Sequence, residues 1–422
     1  MYYDLITVGG GPAGMMGAAA AAQRGLKVVL LEKNDRLGKK LSITGNGRCN
    51  FTNLCDPASF MDNIVNNGRF LHASLNRFDN HSLVSFFNSL GVKTKVENDN
   101  RVFPASDRAE EIIKALHNYL HKSKVEIRFN SAAKKVLAVN NRVTGVITDG
   151  NNKVAGENVL IATGGLSYRQ TGSAGDGFRM AKELGHFVAP PRPALVPLVA
   201  GEKWVKQLQG LSLQNINVQA VNVQAVLEEK VIAEQTGELI FTHFGVSGPV
   251  ILKLSSLINK CPPSSLALRI DLFPSISTTQ LDAQLIEIFK KNHGKYLKNA
   301  LGDLVPQKML PLLQIFAGID ILKQVDQITK EEREKLTNNL KRITLTIKGA
   351  RPLNEAMVTA GGIDTNEINP SSMESKKVRG LFFAGEVIDV DALTGGFNLQ
   401  IAFSTGYLSG ISVRGEHEHV GS

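Results

Sequence analysis

Short apolar runs alternate with helix-forming stretches near the start of this 422-residue chain. Residues 3–8 form one apolar run, residues 13–24 are rich in alanine, and residues 27–31 form a second apolar run. Short apolar runs bounded by glycine are typical of buried strands, and alanine is the strongest helix former. The pattern therefore predicts a β-α-β unit within residues 1–32.

A glycine motif, Gly9-Gly10-Gly11-Pro12-Ala13-Gly14, lies between the first strand and the helix. Gly9 allows a tight turn, Gly11 lets the backbone approach a pyrophosphate, and Gly14 lets the helix pack closely on the strand. The helix N-terminus then offers unpaired N–H groups and its positive dipole end to phosphates. Glu32 follows Gly14 by eighteen residues and can accept hydrogen bonds from both ribose hydroxyls. Together these features predict a dinucleotide-binding site.

The next stretch, residues 33–53, is rich in glycine and small polar residues, which predicts a loop without helix or strand. A loop of this length inside a compact domain is usually functional. Farther along, Ser106 is expected to cap an amphipathic helix. Helices are also expected at 57–65, at 81–90 and near 173–177, and strands at 92–96, 125–129, 132–139, 142–148 and 158–165.

The composition changes at a run of prolines, which mark a boundary because proline cannot donate to a central sheet. They are Pro190, Pro191, Pro193 and Pro197. Alternating, β-branched segments follow at 213–226, 239–242 and 266–272, and this alternation indicates antiparallel strands. Between them, Ser247 is expected to cap a helix with Pro249 in its first turn.

The last third of the chain begins with short amphipathic helices at 278–341 and becomes strand-like from residue 342. An apolar strand at 380–386 and a last helix at 399–411 follow, before a tail from residue 414 that is expected to fray. The order predicts an α/β nucleotide-binding domain at 1–190 and 350–422. A β-rich insert is predicted at 191–275 with a strand return near 342–349, and a small helical domain at 276–341.

Three features favour FAD over NAD as the dinucleotide. The long loop after Glu32 gives an extended dinucleotide a second wall, and the strand end from Ala162 through Thr163 and Gly164 permits close backbone approach. Near the end of the chain, a strand ending at Gly385 is followed by a glycine-initiated helix. That helix can point N–H groups at the flavin N1–C2=O edge, where a reduced flavin carries negative charge.

No second glycine fingerprint follows a strand downstream, so a dedicated NAD(P)H domain is not expected. A nicotinamide that reduces the flavin would have to dock transiently at the isoalloxazine ring. Otherwise the enzyme is an oxidase or takes electrons from elsewhere. The sequence predicts no metal site.

The chain resembles the aminoacetone oxidase family of FAD-binding proteins, also called BaiN-like NAD(P)/FAD-dependent oxidoreductases. The motifs that carry this resemblance span nearly the whole chain, at residues 9–14, 40–53, 101–104, 162–168, 171–177, 193–198, 241–249, 351–362 and 373–406. One departure is Arg169, where the family usually has proline. The resemblance implies a glutathione-reductase-type Rossmann FAD domain with an inserted β-rich domain and a small helical domain.

The resemblance also implies roles for individual residues in binding FAD. The pyrophosphate would be held by Gly9, Gly11, Pro12, Ala13 and Gly14, the adenosine ribose by Glu32, and adenine by the backbone of Ala133. Lys33 and Lys40 would line the adenosine and phosphate side. One loop would pass near the ribityl chain and flavin ring. We call it the flavin loop, and it consists of Thr44, Gly45, Asn46, Gly47, Arg48, Cys49 and Asn50. Gly385 and Glu386 would bind ribityl or phosphate, and Gly396, Asn398 and Leu399 would close over the pyrimidine edge.

Candidates for catalysis are fewer. His243 lies in a glycine-rich, apolar setting and could exchange protons with a substrate near neutral pH, or it could be a structural histidine bonded to backbone. Arg48 could fix a substrate carboxylate or phosphate, or it could contact only the FAD. Five residues separate Cys49 from Cys55, unlike the spacing in disulfide reductases, so we interpret Cys49 as a flavin-loop residue and Cys55 as a free thiol.

Composition narrows the class of protein. Three cysteines argue against a disulfide framework and, with no apparent signal peptide or apolar membrane span, favour the cytoplasm. The net charge is +9, and residues 290–351 hold thirteen Lys and Arg against six Asp and Glu, a local net of +7. This stretch is either a solvated helical surface or a patch for an anionic partner.

The sequence favours an FAD enzyme that moves a hydride between a small organic substrate and the flavin N5. Two alternatives stay open. One is a flavoprotein that acts on RNA through the basic stretch, as tRNA-modifying flavoproteins do, and the other is a non-catalytic flavin-binding module. Neither the substrate nor the oligomeric state follows from the sequence.

Overall fold

The computed structural model describes residues 1–223 and 230–415. The chain forms two compact units, the first made of Met1–Ala194 and Leu353–Ser422 and the second of Leu195–Pro352. The first unit has the predicted α/β architecture of a Rossmann-type FAD domain, and the second contains a β-barrel and a group of short helices. The fold class expected from the sequence is therefore confirmed.

The amino-terminal part of the first unit holds eleven strands and six helices. In chain order they are β1 (Tyr2–Val8), α1 (Pro12–Gln23), β2 (Val28–Leu31), β3 (Thr52–Asn53), α2 (Pro57–Asp62), β4 (Ile64–Asn66), α3 (His72–Arg77), α4 (Asn80–Ser89), β5 (Thr94–Glu97), β6 (Arg101–Pro104), α5 (Ala109–Lys122), β7 (Glu126–Arg128), β8 (Ala133–Val139), β9 (Arg142–Thr148), β10 (Lys153–Ile161), α6 (Asp176–Glu183) and β11 (Val188–Ala194).

The second unit, and the return of the chain to the first, supply the remaining elements. The second unit contains β12 (Leu198–Ala200), β13 (Ser212–Asn222), β14 (Lys230–Phe241), β15 (Gly245–Ser247), α7 (Pro249–Leu257), β16 (Leu266–Asp271), α8 (Thr278–Lys291), α9 (Leu297–Ala300), α10 (Leu310–Ala317), α11 (Lys330–Lys341) and β17 (Ile343–Ala350). The return adds β18 (Val358–Ile363), β19 (Leu381–Phe383), β20 (Asp391–Ala392) and α12 (Phe397–Ser412).

The main sheet of the first unit has the strand order β7-β2-β1-β10-β9-β8, with β19 also paired to β10. Strands β7, β2, β1, β10 and β19 run parallel, while β8 and β9 form an antiparallel hairpin beside β10. Val8 pairs with Leu31 and with Ile161, and Ile161 pairs with Phe383. Four parallel strands therefore end along one edge, which is where ligands bind in sheets of this kind.

Helices α1 and α12 pack against each other beside this sheet. The contact is close because Gly406 of α12 lies against the backbone of α1, so that a Cβ added at Gly406 would fall 2.2 Å from the Ala13 carbonyl oxygen. Buried apolar side chains from the strands, including Leu5, Leu30 and Leu160, form the core under α1. The packing places the N-termini of both helices near the same end of the sheet.

In the second unit, six antiparallel strands close a barrel in the order β12-β15-β14-β13-β16-β17. Its core contains alternate residues of each strand, such as Leu268 and Ile270 of β16. Helices α8 to α11 surround a separate cluster that includes Leu281, Leu285 and Leu336. The predicted antiparallel strands and short helices are present, while the division of this unit into a β-rich and a helical domain stays a prediction.

Two predicted helix caps are wrong. Helix α5 begins after Arg108, because Asp107 adopts a left-handed turn and the Ser106 hydroxyl donates to the Glu111 carboxylate. Helix α7 begins after Gly248, which has a φ of +94°, because Ser247 still belongs to β15. The prolines at the first helical position of α7 and of α1 follow the usual preference for proline in a first turn.

Several segment boundaries also differ from the predictions. The loop at 33–53 contains a 3₁₀ segment, Leu41–Gly47, that is broken at Thr44 and Asn46, and it ends in β3. The helix predicted at 57–65 stops at Asp62, where β4 follows. The proline-rich boundary is itself an edge strand, β11, which pairs only with β18 and carries a bulge.

Two other expectations lie partly beyond what the structure describes. The strand predicted at 213–226 ends at Asn222, and the last residues of that prediction fall in 224–229, which the structure does not describe. The tail that was expected to fray includes residues 416–422, which also lie outside the described residues. In the described ranges, no helix combines the length and the apolar character needed to cross a membrane.

Candidate functional site

A cleft opens along the carboxyl edge of the parallel strands in the first unit. Its empty space is about 1300 Å³, including the solvent at its mouth. Most of the predicted cofactor residues line it, namely Gly9, Gly11, Pro12, Ala13, Glu32, Lys33, Lys40, Thr44, Ala133, Ala162, Thr163, Gly164, Gly385, Glu386, Asn398 and Leu399. The structure thus brings together residues from both ends of the chain.

The three glycines of the amino-terminal motif have different surroundings. A Cβ added at Gly9 would lie 2.5 Å from the Ala162 carbonyl oxygen, and one added at Gly14 would lie 1.9 Å from the Gly9 carbonyl oxygen. At Gly11 nothing lies within 4 Å of the added atom. Gly9 and Gly14 are therefore required for the turn and the packing, whereas Gly11 faces open space that a ligand could fill.

Helix α1 starts at this open space. Its N-cap is Gly11, whose lack of a side chain leaves the first backbone N–H groups without a side-chain partner. Pro12 occupies the first helical position, where an N–H group would be unpaired in any case. The arrangement favours an anion such as a pyrophosphate at the helix N-terminus.

Glu32 stands at the end of β2 and is buried, with 7% of its surface exposed. One carboxylate oxygen accepts from the backbone N–H of Gly10 at 2.7 Å. The other oxygen accepts from the backbone and side chain of Asn34, at 2.8 and 2.6 Å. These bonds fix the carboxylate at the wall of the cleft, and the oxygen that accepts from Gly10 retains a lone pair for a ribose hydroxyl.

The N-terminus of α12 opens on the same cleft. Gly396 is its N-cap, with a φ of +99°, and a Cβ there would lie 2.3 Å from the Thr52 carbonyl oxygen. The side chain of Asn398 is used internally: it accepts from the N–H of Ala392 at 3.0 Å and donates to the carbonyl of that residue at 2.7 Å. Asn398 therefore shapes the turn, and the backbone N–H groups of the first turn are left for a ligand.

A charged network of three residues lies on another wall. Lys40 donates to Glu386 at 2.5 Å and to the Ser167 hydroxyl at 2.6 Å, and that hydroxyl donates to Glu386 at 2.9 Å. Glu386 also accepts from the backbone N–H of Thr359 at 2.8 Å. Burial alone would raise the pKa of Glu386, but the Lys40 ammonium and these donors hold the pKa below its ordinary value.

A second ion pair joins two cleft-lining segments. Lys33, just after β2, lies 2.7 Å from Asp176, the first residue of α6. Asn34 adds a bond to the Thr171 carbonyl at 3.1 Å. The segment before α6 is thereby tied to the segment after β2.

The flavin loop is only partly exposed to the cleft. Thr44 lines it, but Gly45, Gly47, Arg48, Cys49 and Asn50 do not, nor do Gly14 and Gly396. Asn50 has a buried Oδ1 without a hydrogen-bond partner in the described ranges, close to the position that a Gly396 Cβ would take. Burial raises the pKa of the Cys49 thiol to about 12. Cys49, Cys55 and Cys261 are all free thiols.

Arg48 is engaged by protein groups. Its guanidinium donates to Asp107 at 2.8 Å and to Glu97, and it stacks 4.2 Å from the centre of the Phe103 ring. Lys95 contacts the same two carboxylates. The hydrogen bonds that Arg48 donates to Glu97 and Asp107 raise the pKa of Arg48. The bonds from Arg48 and Lys95 lower the pKa values of both acids.

His243 belongs to the second unit, in the turn between β14 and β15. Its side chain is exposed, and its ring lies 4.9 Å from that of Phe244. Phe244 in turn stacks 4.6 Å from the guanidinium carbon of Arg351. The catalytic role expected of His243 stays a prediction.

Sequence reasoning missed several cleft residues, among them Asn34, Ser131, Ser173, Asp176 and Met357. It also missed the partners Ser167 and Thr359 of Glu386, although Ser167 lies in a motif of the resemblance. A signal existed for Asp176, since Gly175-Asp176-Gly177 is a polar, glycine-flanked helix start. No local pattern marks Met357.

The cleft fits FAD on three observations. Open space adjoins Gly11, two helices present N-termini without side-chain caps, and Glu32 stands where a ribose would lie beside the first of them. Residues predicted for the adenine, pyrophosphate and ribityl portions line one continuous cleft. In the described ranges no cluster of His, Cys, Asp and Glu could hold a metal ion.

Comparisons with known proteins agree with this geometry. A family model described as the HI0933-like protein Rossmann domain matches residues 3–412. The chain is 31% identical over 407 residues to a 3-dehydro-bile acid delta(4,6)-reductase of Clostridium scindens, covering 96% of this chain and 97% of that protein. It is 32% identical over 412 residues to a ribosomal RNA dihydrouridine synthase of Escherichia coli, covering 96% of each.

Among solved structures, the chain is similar to 3-ketosteroid-delta4-(5alpha)-dehydrogenase from Rhodococcus jostii. The TM-score is 0.55 and the identity 16%, over 98% of this chain and 96% of that one. At this level of identity the likeness shows a shared fold.

Proposed function

Because this chain belongs to the HI0933-like family and is an FAD-dependent oxidoreductase, we propose that it adds hydride to a carbon–carbon double bond conjugated with a carbonyl group. The observation that carries the flavin-binding part of the proposal is the opening of two glycine-capped helices, α1 and α12, on one cleft. The two relatives support the choice of reaction. A delta(4,6) double bond in a 3-dehydro bile acid and the C5–C6 bond of uridine are both conjugated with a carbonyl.

FAD, when bound, supplies the hydride from its reduced flavin. The chain contributes binding and electrostatics. The α1 N-terminus would hold the pyrophosphate, Glu32 would accept from the adenosine ribose, and Lys40 would keep Glu386 ionised and oriented for a ribityl hydroxyl. The N-terminus of α12 would stabilise the negative charge that a reduced flavin carries near N1.

Reduction of a conjugated double bond also requires a proton, and we retain His243 as the candidate donor. His243→Ala should leave the FAD content and absorbance unchanged and lower the turnover number. Unchanged turnover at every pH would remove His243 from the mechanism. His293→Ala, which alters another exposed histidine of the second unit, is the matched control.

A substrate role for Arg48 has a structural condition. Its Nε and Nη2 atoms are engaged by Asp107 and Glu97, so a substrate carboxylate or phosphate would have to bind through the remaining N–H donors or displace one of these acids. Arg48→Lys keeps the charge but loses the bidentate geometry. If Arg48 binds substrate, this change should raise KM, and if Arg48 anchors the loop, it should lower FAD affinity.

NADH or NADPH is the proposed electron donor, docking transiently. The test is anaerobic mixing of the purified holoprotein with each nicotinamide, which should bleach the flavin absorbance. An added 3-oxo-4,6-diene steroid acid should then restore the absorbance as its double bond is reduced. A flavin that accepts electrons from neither nicotinamide, or returns them to no conjugated carbonyl compound, would contradict the proposal.

A uridine in RNA is the second candidate substrate. The specific observations in its favour are the full-length similarity to a ribosomal RNA dihydrouridine synthase and the net charge of +7 over residues 290–351. The same stopped-flow experiment with a uridine-containing RNA as oxidant separates this candidate from the steroid-like substrate.

A further inference from the structure

One part of the basic stretch contains no acidic residue. Between Glu287 and Asp303 the chain has four lysines, one histidine and one tyrosine but no Asp or Glu. We define the Lys–Tyr patch as Lys290, Lys291, Lys295, Tyr296 and Lys298. It covers the last turn of α8, the connecting loop and the start of α9.

The backbone of the patch is fixed by its neighbours. The chain turns at Gly294, which has a φ of +75°. The Leu297 N–H then donates to the Lys323 carbonyl at 2.9 Å, and the Val325 N–H donates to the Lys295 carbonyl at 3.0 Å. The patch side chains therefore project from a paired segment of backbone.

Four of the five side chains of the patch are exposed, and Lys298 is half-buried. Lys290, Lys291 and Lys295 are exposed, and Tyr296 retains 46% of its surface. Leu322, on the segment paired with the patch, is 51% exposed. An exposed aromatic ring among lysines combines a stacking surface with positive charge.

Ion pairing differs sharply between the patch and α11. On α11, Lys330 pairs with Glu334, Arg333 with Asp282 and Lys341 with Asp271. In the patch, Lys290 has an exposed contact to Glu287, whereas Lys291 and Lys298 pair with no carboxylate in residues 1–223 and 230–415. Lysines without a carboxylate partner in the described residues therefore lie close together at the patch, whereas on α11 Lys335 alone is in that position.

The helix dipole explains only part of this arrangement. Lys290 and Lys291 lie in the last turn of α8, where cations are favourable. Lys295 and Lys298 lie beyond that helix, and the dipole gives no reason for the exposure of Tyr296. These three residues offer a partner positive charge and a flat stacking surface.

We propose that the Lys–Tyr patch binds single-stranded RNA, with phosphates on its lysines and one base stacked on Tyr296. The proposal deepens the RNA form of the proposed function and rests on it. A uridine must leave a base-paired stack before its C5–C6 bond can be reduced, so the enzyme would need an unpaired strand. Stacking on an aromatic ring selects such a strand because its bases are free.

The test uses the full-length FAD-loaded protein and a fluorescently labelled, uridine-rich RNA 12-mer, with binding followed by anisotropy at several salt concentrations. Lys291→Gln/Lys295→Gln should weaken binding roughly tenfold and reduce the slope of log K against log salt by about 1.4, because two phosphate contacts are lost. Tyr296→Ala should weaken binding at least about fivefold with little change in slope. The control is Lys330→Gln/Lys335→Gln, which removes the same number of positive charges from α11.

The RNA proposal is supported if the patch variants lose affinity and the α11 control does not. It is overturned if wild type does not bind at low salt, if both double variants lose affinity equally, or if Tyr296→Ala binds like wild type. Flavin reduction by nicotinamide and turnover of the small conjugated substrate are measured in parallel. Retention of these activities without RNA binding would contradict RNA binding by the patch and leave the reductase proposal intact.

Discussion

Helices begin in two different ways in this protein. In the second unit, α8 and α11 begin with capping boxes, in which the side chains of Ser277 and Gln280, and of Thr329 and Glu332, satisfy backbone N–H groups reciprocally. At the cleft of the first unit, α1 and α12 begin at Gly11 and Gly396 without a side-chain cap. A glycine N-cap costs roughly a few tenths of a kcal/mol relative to a capping side chain, a small cost that a bound anion can offset at both cleft helices.

The two kinds of helix start serve different purposes, helix stability at α8 and α11 and ligand binding at α1 and α12. At α8 and α11, which do not line the cleft, the chain supplies its own hydrogen-bond acceptors. At α1 and α12 the chain leaves the donors open and has glycine where a side chain would block them. Other helices, such as α5 and α7, also begin without a side-chain cap, so the comparison concerns these two pairs. Substitutions at the two kinds of helix start should therefore have different consequences.

The largest effect is expected at Gly14, where the contact is with backbone. Gly14→Ala places a Cβ 1.9 Å from the Gly9 carbonyl oxygen, so α1 must move away from β1. We expect the free energy of unfolding to fall by at least about 3 kcal/mol. Urea denaturation measures the change, and stability equal to wild type would show that the helix can shift at no cost.

Gly11→Val should affect the ligand and spare the fold. The added side chain enters space where nothing lies within 4 Å, so the FAD-free protein should unfold at nearly the same urea concentration as wild type. FAD affinity should fall more than about 100-fold, or about 2.7 kcal/mol, because the side chain occupies the position of the pyrophosphate. A fully yellow Gly11→Val protein would contradict the assignment of this helix start.

Substitutions at the caps of α8 and α11 should lower stability and spare FAD binding. Ser277→Ala and Thr329→Ala should each lower the free energy of unfolding by about 1 kcal/mol, because one backbone N–H group loses its acceptor. FAD affinity should stay at the wild-type value. Calorimetry of each variant, paired with an FAD titration, checks both parts, and a loss of FAD affinity would show that the two kinds of helix start are not independent.

The smallest effect concerns acid stability at the cleft. The lowered pKa of Glu386 means that its interactions with Lys40 and Ser167 stabilise the folded protein above the ordinary value of 4.5 and are lost as pH falls through the lowered pKa. The stability difference between wild type and Glu386→Gln should be constant above about pH 5.5 and shrink below about pH 4.5. A stability difference that grows on acidification would contradict the lowered pKa of Glu386.

The surroundings of the amino-terminal glycines could be predicted because the information is local. The spacing of Gly9, Gly11 and Gly14 between a strand and a helix predicts their roles, and the structure has the close contacts at Gly9 and Gly14 and the open space at Gly11. Pyrophosphate binding at Gly11 stays a prediction. The pairing of Lys40 with Glu386 could not be predicted in the same way, because they lie 346 positions apart in the chain and only the folded sheet brings them together.

Local reasoning also failed where two local structures competed. Ser106 and Ser247 both have the side chain of a good cap, but a left-handed turn at Asp107 and the continuation of β15 moved the helix starts beyond them. Arg48 was predicted to bind either a substrate anion or the FAD, and its protein partners were not predicted. Its engagement by Glu97 and Asp107 depends on the β5–β6 hairpin, whose position relative to the loop has no signature in the sequence.

The most direct test of the central claim is a calorimetric titration of FAD-free protein with FAD and with FMN. The claim is that α1 grips the pyrophosphate and adenosine half of the cofactor while α12 faces the flavin half. We predict one FAD per chain, bound at least about 100-fold more tightly than FMN, since FMN lacks the adenosine and one phosphate. Equal affinity for the two flavins, or no uptake of FAD, would contradict the account.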